Sequence, residues 1–547
     1  MVRRVPGTLP TAIVSAALGI VLAAAAVALA GPWQGGQRKA ERDGQAAPSP
    51  KAAVPGLSTL PPGPVHLPAV AALLPVLAGE RALGSPTPTA LASLLGPLAM
   101  QPGLGKHVGI AVADPAGPTL LYNSAANDEF APASTNKVVT AVAALTALGE
   151  DRRLATRVVV PAPLTGKDAT TQVITLVGGG DPTLTNLPPA VGAAAGSWQP
   201  ASLDDLAART AATLQTGGVK SVTLDYDTSL YSGPALQPTW SAAYTDGNIA
   251  PVSPLTLDEG RSKPTDDLSP RVADPAAQAV AAFAARLTAH GVSVVGKPVP
   301  AAAPADGIEV ARVESPRLTD LVEHMLTVSD NDVAEALLRQ VAVADGKPAS
   351  FEGGVAAVRD VLGPALVAST GTPTGAPTPL PVPLTPRLGL DLTGLNVQDG
   401  SGLSRQDRLS PAFLVRTLAV AAQTDHPELR AALTGLPVAG FTGTLAENDR
   451  FTTPQSSSAA GLVRAKTGSL TGVDTLAGLV RDQDGQLLVF AFLADQAPDP
   501  VASRLALDRL AAGIAGCGCG GLPAAAPTGG ASGSPGDSSA SAAASAQ

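Results

Sequence analysis

The chain has 547 residues, 45% of them apolar and 15% charged, with a net charge of −9; that is enough for two or three domains and a sizeable buried core. No basic stripe runs through it, so no nucleic-acid partner is expected. Aromatic residues make up 3%, leaving Ala, Val and Leu to supply the core, and 57 Gly with 52 Pro point to globular blocks flanked by unstructured ones.

In chain order, Arg3 and Arg4 precede an apolar run, Thr11 to Ala30, that ends in Ala28-Leu29-Ala30. A positive start, an apolar stretch and an A-x-A site fit a secretory signal. Twenty helical residues would also reach about 30 Å, enough to span a bilayer. Residues 1–30 are therefore a cleaved signal or a retained membrane anchor. Either places the rest outside the cytoplasm, in the cell envelope. Residues 31–88, rich in Ala and Pro, read as a linker.

A helix is expected over Thr89–Met100, then a hairpin of Val108–Ala113 and Thr119–Tyr122 around Asp114-Pro115-Ala116-Gly117. A buried helix follows from Ser134 to Leu148, ended by Gly149. Residues 157–311 change character, with short β-like runs alternating with Gly/Pro turns and helical patches. They read as an inserted, β-rich domain that splits one domain into 89–156 and 312–516. Helical character returns over Leu318–Val343. Residues 370–386 are a Pro/Thr-rich surface loop. Val463–Thr467, Thr475–Arg481 and Leu487–Ala494 make a meander, followed by a helix over Pro500–Ile514. Residues 517–547 read as a disordered tail. Cys517 and Cys519 within it form a local disulfide or stay as thiols. His107, His290 and His324 lie in unrelated contexts, so no metal site is expected.

Three triplets carry chemistry. In Ser134-Thr135-Asn136-Lys137 the spacing puts Ser134 and Lys137 on one helical face. A serine hydroxyl needs a base, and a lysine with a lowered pKa can supply one. Ser329-Asp330-Asn331 opens a helical run and would serve as a cap if it stood alone. Lys466-Thr467-Gly468 lies in a predicted strand, where a glycine points to close backbone approach by a ligand. Each is unremarkable singly, but their order, S-x-x-K, S-D-N, K-T-G, is that of penicillin-binding proteins and serine β-lactamases.

With Gly178-Gly179-Gly180-Asp181-Pro182-Thr183-Leu184, Asp399-Gly400-Ser401-Gly402-Leu403-Ser404 and Gly443-Thr444-Leu445, residues 89–516 resemble the class C, low-molecular-mass penicillin-binding proteins. These are the D-alanyl-D-alanine carboxypeptidases/endopeptidases. The 195 residues from Ser134 to Ser329 fit that class, whose extra domains are inserted there. A compact β-lactamase has far less chain in this interval, and no E-x-x-L-N deacylation motif follows Asn331.

The resemblance implies an α/β (α+β) fold, a transpeptidase-like antiparallel sheet flanked by helices, with peptidoglycan stem peptides as substrate and β-lactam antibiotics as inhibitors. It implies no cofactor and no metal. Ser134 becomes the acylated nucleophile, Lys137 its base, Ser329 a proton relay assisted by Lys466, and Asn331 the group that orients substrate and holds Lys137. Lys466 and Thr467 attract the terminal carboxylate, and the N–H groups of Ser134 and Ser469 form the oxyanion hole. Gly468 and Asp181 complete the expected substrate-binding set, Asp181 having an equally good structural reading as a turn residue. A silent wall-binding scaffold, and a β-lactamase or esterase using the same Ser–Lys pair, are the alternatives.

Overall fold

The computed structural model describes residues 86–520, apart from 118, 162–170, 189–197, 365–384 and 448. The apolar run 11–30, the linker up to residue 85, most of the loop 370–386 and the chain beyond 520 lie outside the described residues. Among the described residues no helix is long and apolar enough to cross a membrane.

After helix α1 (Pro88–Ala99), strands β1 (Val108–Ala113) and β2 (Leu120–Ser124) form the expected hairpin. They join a five-stranded antiparallel sheet with β11 (Val463–Leu470), β12 (Val473–Arg481) and β13 (Leu487–Ala494), in the order β11-β12-β13-β1-β2. Side chains alternate across a strand, and here both faces are covered. Val489, Ala491 and Leu493 feed a core with helices α2 (Asn136–Leu148) and α8 (Pro411–Ala422). Phe490, Phe492 and Ala494 feed a second core with α1 and the last helix, α10 (Pro500–Ala515). Burial on both sides explains why β12 and β13 read as nearly continuous apolar runs instead of alternating ones.

Between α2 and the later helices the chain builds a second, mixed sheet. Its strands are β3 (Ala155–Val160), β4 (Thr171–Val177), β5 (Ser221–Asp227), β6 (Ser293–Val294) and β8 (Ile308–Glu314), in the order β6-β5-β4-β3-β8; β7 (Val299–Pro300) pairs with β5. Helices α3 (Leu203–Thr216) and α4 (Pro275–Ala289) pack on this sheet around a core of its own. The two helices after β8, α5 (Leu318–Val328) and α6 (Asn331–Ala344), pack with α2 and α7 (Phe351–Leu362) in the first core. A short pair, β9 (Leu395–Asn396) and β10 (Arg408–Leu409), and a one-turn helix α9 (Ala431–Thr434) complete the order.

Three expectations change. The helix expected from Ser134 begins instead with a 3-10 turn, Ala133–Thr135, and becomes α-helical at Asn136. The helix expected to open with Ser329-Asp330-Asn331 begins at Asn331, because Ser329 is left-handed (φ 65°, ψ 38°) and closes the preceding helix. Asp330 caps the new helix, its Oδ1 accepting the Val333 N–H at 2.9 Å. Residues 517–520, assigned to the tail, belong to the folded body. Cys517 is buried and disulfide-bonded to Cys519, and Gly520 pairs with Pro86.

Candidate active site

The first link is the turn that carries Ser134. Pro132 O accepts from Thr135 Oγ1 at 2.7 Å and from Thr475 Oγ1 of β12 at 2.8 Å, which ties the turn to the sheet. Gly468 of β11 sits against the same turn. A Cβ there would overlap Thr475 Oγ1 and lie 2.9 Å from Ser134 N. The glycine of the K-T-G triplet is thus required by the protein's own backbone, a correction to its reading as a site of ligand approach.

Lys137 is fully buried one turn behind Ser134. Its Nζ lies 2.9 Å from Ser134 Oγ and donates to Asn331 Oδ1 at 2.6 Å and to Ser401 O at 2.8 Å. Burial lowers its pKa to about 8, against the opposing pull of Asp399 and Glu335. Asn331 is itself oriented, its Nδ2 donating to Asn248 O at 2.8 Å.

The loop 399–404, given no chemical role by the sequence, is the brace behind Lys137. Asp399 accepts the N–H groups of Gly402 and Ser404 and the indole N–H of Trp240, each at 2.7 Å. Glu335, buried on α6, accepts Ser401 N at 2.7 Å and Gly400 N at 3.1 Å. Thr140 and Asn136 of α2 donate to the carbonyls of Gly400 and Asp399. The outcome is a Ser401 carbonyl held at a fixed point beside the lysine.

Ser134, Ser329, Thr467 and Ser469 line one cleft of about 270 Å³, together with Thr444, Glu447, Arg450 and Arg504. Thr444 and Thr467 join their hydroxyls at 2.7 Å. Ala465 N donates to Pro437 O, off the free edge of β11. Residues two apart share a direction in a strand, so Ser469, four on, turns its N–H to the same open edge. Lys466 differs from expectation: it is wholly buried, and its Nζ donates to Thr467 O at 2.9 Å. Burial, reinforced by the neighbouring Lys137 charge, holds its pKa well below the ordinary lysine value. It therefore sits behind the cleft wall, while Thr467 lines the cleft.

Asp181 is not part of this cleft. It is buried, and its Oδ1 accepts from Thr183 N at 2.9 Å and Thr183 Oγ1 at 2.7 Å. Burial raises its pKa to about 6. The turn reading is the one the contacts support. His324 is less isolated than the sequence implied. It stacks on Trp198 and lies within 4.8 Å, ligand atom to ligand atom, of Glu259 and Asp330. Glu259 is ion-paired with Arg261 at 2.5 Å, so a guanidinium already balances that group.

Thr444, Glu447, Arg450 and Arg504 were not singled out as site residues. Only Thr444 stood in a stretch that carried the resemblance. No local pattern marks the other three, because the cleft wall is assembled from the loop before β11 and from α10.

The model of the D-Ala-D-Ala carboxypeptidase 3 (S13) family matches residues 91–267, 261–373 and 383–514. A carboxypeptidase of Mycolicibacterium smegmatis, DacB, is 37% identical over 403 residues, covering 73% of this chain and 78% of its own. A carboxypeptidase of Mycobacterium tuberculosis is 36% identical over 392 residues, with 71% and 76% covered. The crystal structure of penicillin binding protein 4 from Haemophilus influenzae has the same fold, with a TM-score of 0.58 at 22% identity over 77% of this chain and 97% of that one. The chain belongs to the D-Ala-D-Ala carboxypeptidase 3 (S13) family of serine peptidases, the low-molecular-mass class C penicillin-binding proteins.

Proposed function

We propose that this protein removes the terminal D-alanine from peptidoglycan stem peptides through an acyl-enzyme on Ser134, and that β-lactams acylate the same hydroxyl. The observation that carries the reading is the set of three oxygens around Lys137 Nζ. Two, Asn331 Oδ1 and Ser401 O, are carbonyl oxygens that can only accept. They take the two N–H bonds of a neutral amine. Its lone pair is left facing the one neighbour able to donate, the Ser134 hydroxyl.

Lys137 takes the Ser134 proton as Oγ attacks the carbonyl carbon of the D-Ala-D-Ala bond. The N–H groups of Ser134 and Ser469 receive the oxyanion; such a donor is commonly worth about 10²–10³ in rate. The proton passes through Ser329 to the departing D-alanine nitrogen, and the C–N bond breaks. Lys466, buried beside Lys137, donates to the Thr467 carbonyl and so steadies the strand that lines the cleft. Water then attacks the acyl ester, and the serine regains its proton. Asn331 holds both Lys137 and the substrate amide. Thr444 and Thr467, whose hydroxyls share one hydrogen bond, keep one O–H between them for the terminal carboxylate, while the Ser469 hydroxyl is held by Asp474.

Cleavage of cross-links needs the same chemistry with a longer leaving group, and endopeptidase action belongs to the proposal on that ground. Location in the cell envelope, secreted or anchored by residues 11–30, follows from the charge and hydropathy of that segment. The intact mass of the mature protein separates the two.

Incubation with a stem pentapeptide should release free D-alanine, and Ser134→Ala should release none. Penicillin labelling without D-alanine release would favour a silent scaffold. Rapid turnover of the penicillin would favour a β-lactamase.

A further inference from the structure

A second cavity, of about 380 Å³, lies between the inserted sheet and α6 and exceeds the catalytic cleft in size. Four arginines rim it: Arg152 and Arg153 on the connection into β3, Arg157 on β3 and Arg312 on β8. In a chain of net charge −9 that is a local inversion of sign. Two carboxylates share the lining, and both are engaged. Asp227 accepts from Ser229 N and Ala303 N at 2.7 Å each, and Glu314 pairs with Arg312 at 3.4 Å. Arg153 donates to Ser315 O. Among the described residues the Arg152 and Arg157 side chains make no hydrogen bond or close ion pair, although Arg157 is near enough to Asp227 to help hold its carboxyl below the usual range.

The position is as informative as the charge. Val177 and Asp227, in register with each other, are the last residues of the parallel neighbours β4 and β5. The cavity therefore opens off the carboxyl ends of parallel strands, where open α/β sheets commonly bind ligands. Gly178 and Gly179 continue its lining without side chains, and a Cβ on Gly178 would lie 2.6 Å from the Pro254 carbonyl. The far wall is Gln340 and Val343 of α6, the helix whose first residue, Asn331, holds Lys137. From Asn331 to Gln340 is about 14 Å along a helix. A five-residue extended peptide spans about 17 Å, the same length scale as that helix segment.

We propose that this arginine cleft binds a carboxylate of a second stem peptide while the first lies over Ser134. Guanidinium groups match a carboxylate through paired N–H donors. The proposal rests on the peptidoglycan reading above and gives the glycine-rich stretch that precedes Asp181 a function.

The test compares the full chain carrying Ser134→Ala with the same chain carrying Arg152→Gln and Arg157→Gln as well, binding to soluble, un-cross-linked peptidoglycan strands. The double substitution should weaken binding about tenfold and flatten its salt dependence. Introduced into the active enzyme, it should leave hydrolysis of a diacetyl-Lys-D-Ala-D-Ala tripeptide unchanged. Strands whose carboxyl groups have been amidated should bind both proteins equally weakly. Equal binding of unmodified strands by both proteins would overturn the proposal, as would an equal loss of tripeptide hydrolysis, which would mark the arginines as structural. Binding that survives amidation but is competed by inorganic phosphate would assign the cleft to a phosphate ligand and overturn the carboxylate. Failure of the unsubstituted enzyme to hydrolyse the tripeptide would instead remove the functional reading beneath.

Discussion

At Lys137 the number of acceptors decides the protonation state that works. An ammonium would fill all three neighbouring oxygens with donated hydrogens and leave the Ser134 proton no acceptor, whereas a neutral amine accepts it. Burial lowers the Lys137 pKa to about 8. The neutral fraction grows with pH, so acylation by a penicillin should climb from pH 6 to a plateau above about 8, and stopped-flow rates across that range check it. Lys137→Arg keeps the charge but cannot lose its proton. It should cut the acylation rate by about 10²–10⁴, the usual worth of a general base. Ser134, Lys137 and Asn331 were legible in the sequence because their side chains recur in a fixed order. The third partner of the lysine, the Ser401 carbonyl, was not, since a backbone oxygen leaves no residue-type signature. Gly468 was recognised as a close approach, but what approaches it is the Ser134 turn, brought there by folding.

Among the elements, α6 does the most. Its N-terminus supplies Asn331, its middle supplies Glu335 to the 399–404 loop, and its far end walls the arginine cleft. Burial raises the Glu335 pKa to about 8, while the N–H groups of Gly400 and Ser401 pull the other way. Glu335→Ala would leave those two buried N–H groups unpaired. A loss of about 2–4 kcal/mol in stability is expected, with slower acylation as the Ser401 carbonyl drifts. Glu335→Gln keeps one acceptor and should recover part of both; urea unfolding and penicillin labelling measure the two effects. The helix periodicity over 318–343 was visible in the sequence. So was the helix start at Ser329-Asp330-Asn331, which the structure places at Asn331 with Asp330 as its cap. The left-handed backbone at Ser329 that closes the preceding helix was not, because a backbone conformation at a serine leaves no residue-type signature.

Across the whole molecule, the catalytic cleft is held between parts of the chain far apart in sequence. β1 pairs with β13 across some 380 positions, and Arg450, in the cleft wall, forms a buried bidentate pair with Asp508 of α10. Asp508→Asn would leave that guanidinium buried with an incomplete partner, at a cost of about 3–5 kcal/mol, seen as a lower thermal midpoint. The two blocks of secondary structure and the long interval between Ser134 and Ser329 could be read from composition and spacing. The strand order, and the burial of Lys466, which was expected to attract the terminal carboxylate, depend on long-range packing that local patterns do not encode. The most direct test remains Ser134 itself. After brief exposure to penicillin, intact-mass and peptide mapping should find one covalent penicilloyl group, on Ser134, and none in Ser134→Ala. An unmodified wild-type chain, or an adduct on any other residue, would contradict the assignment.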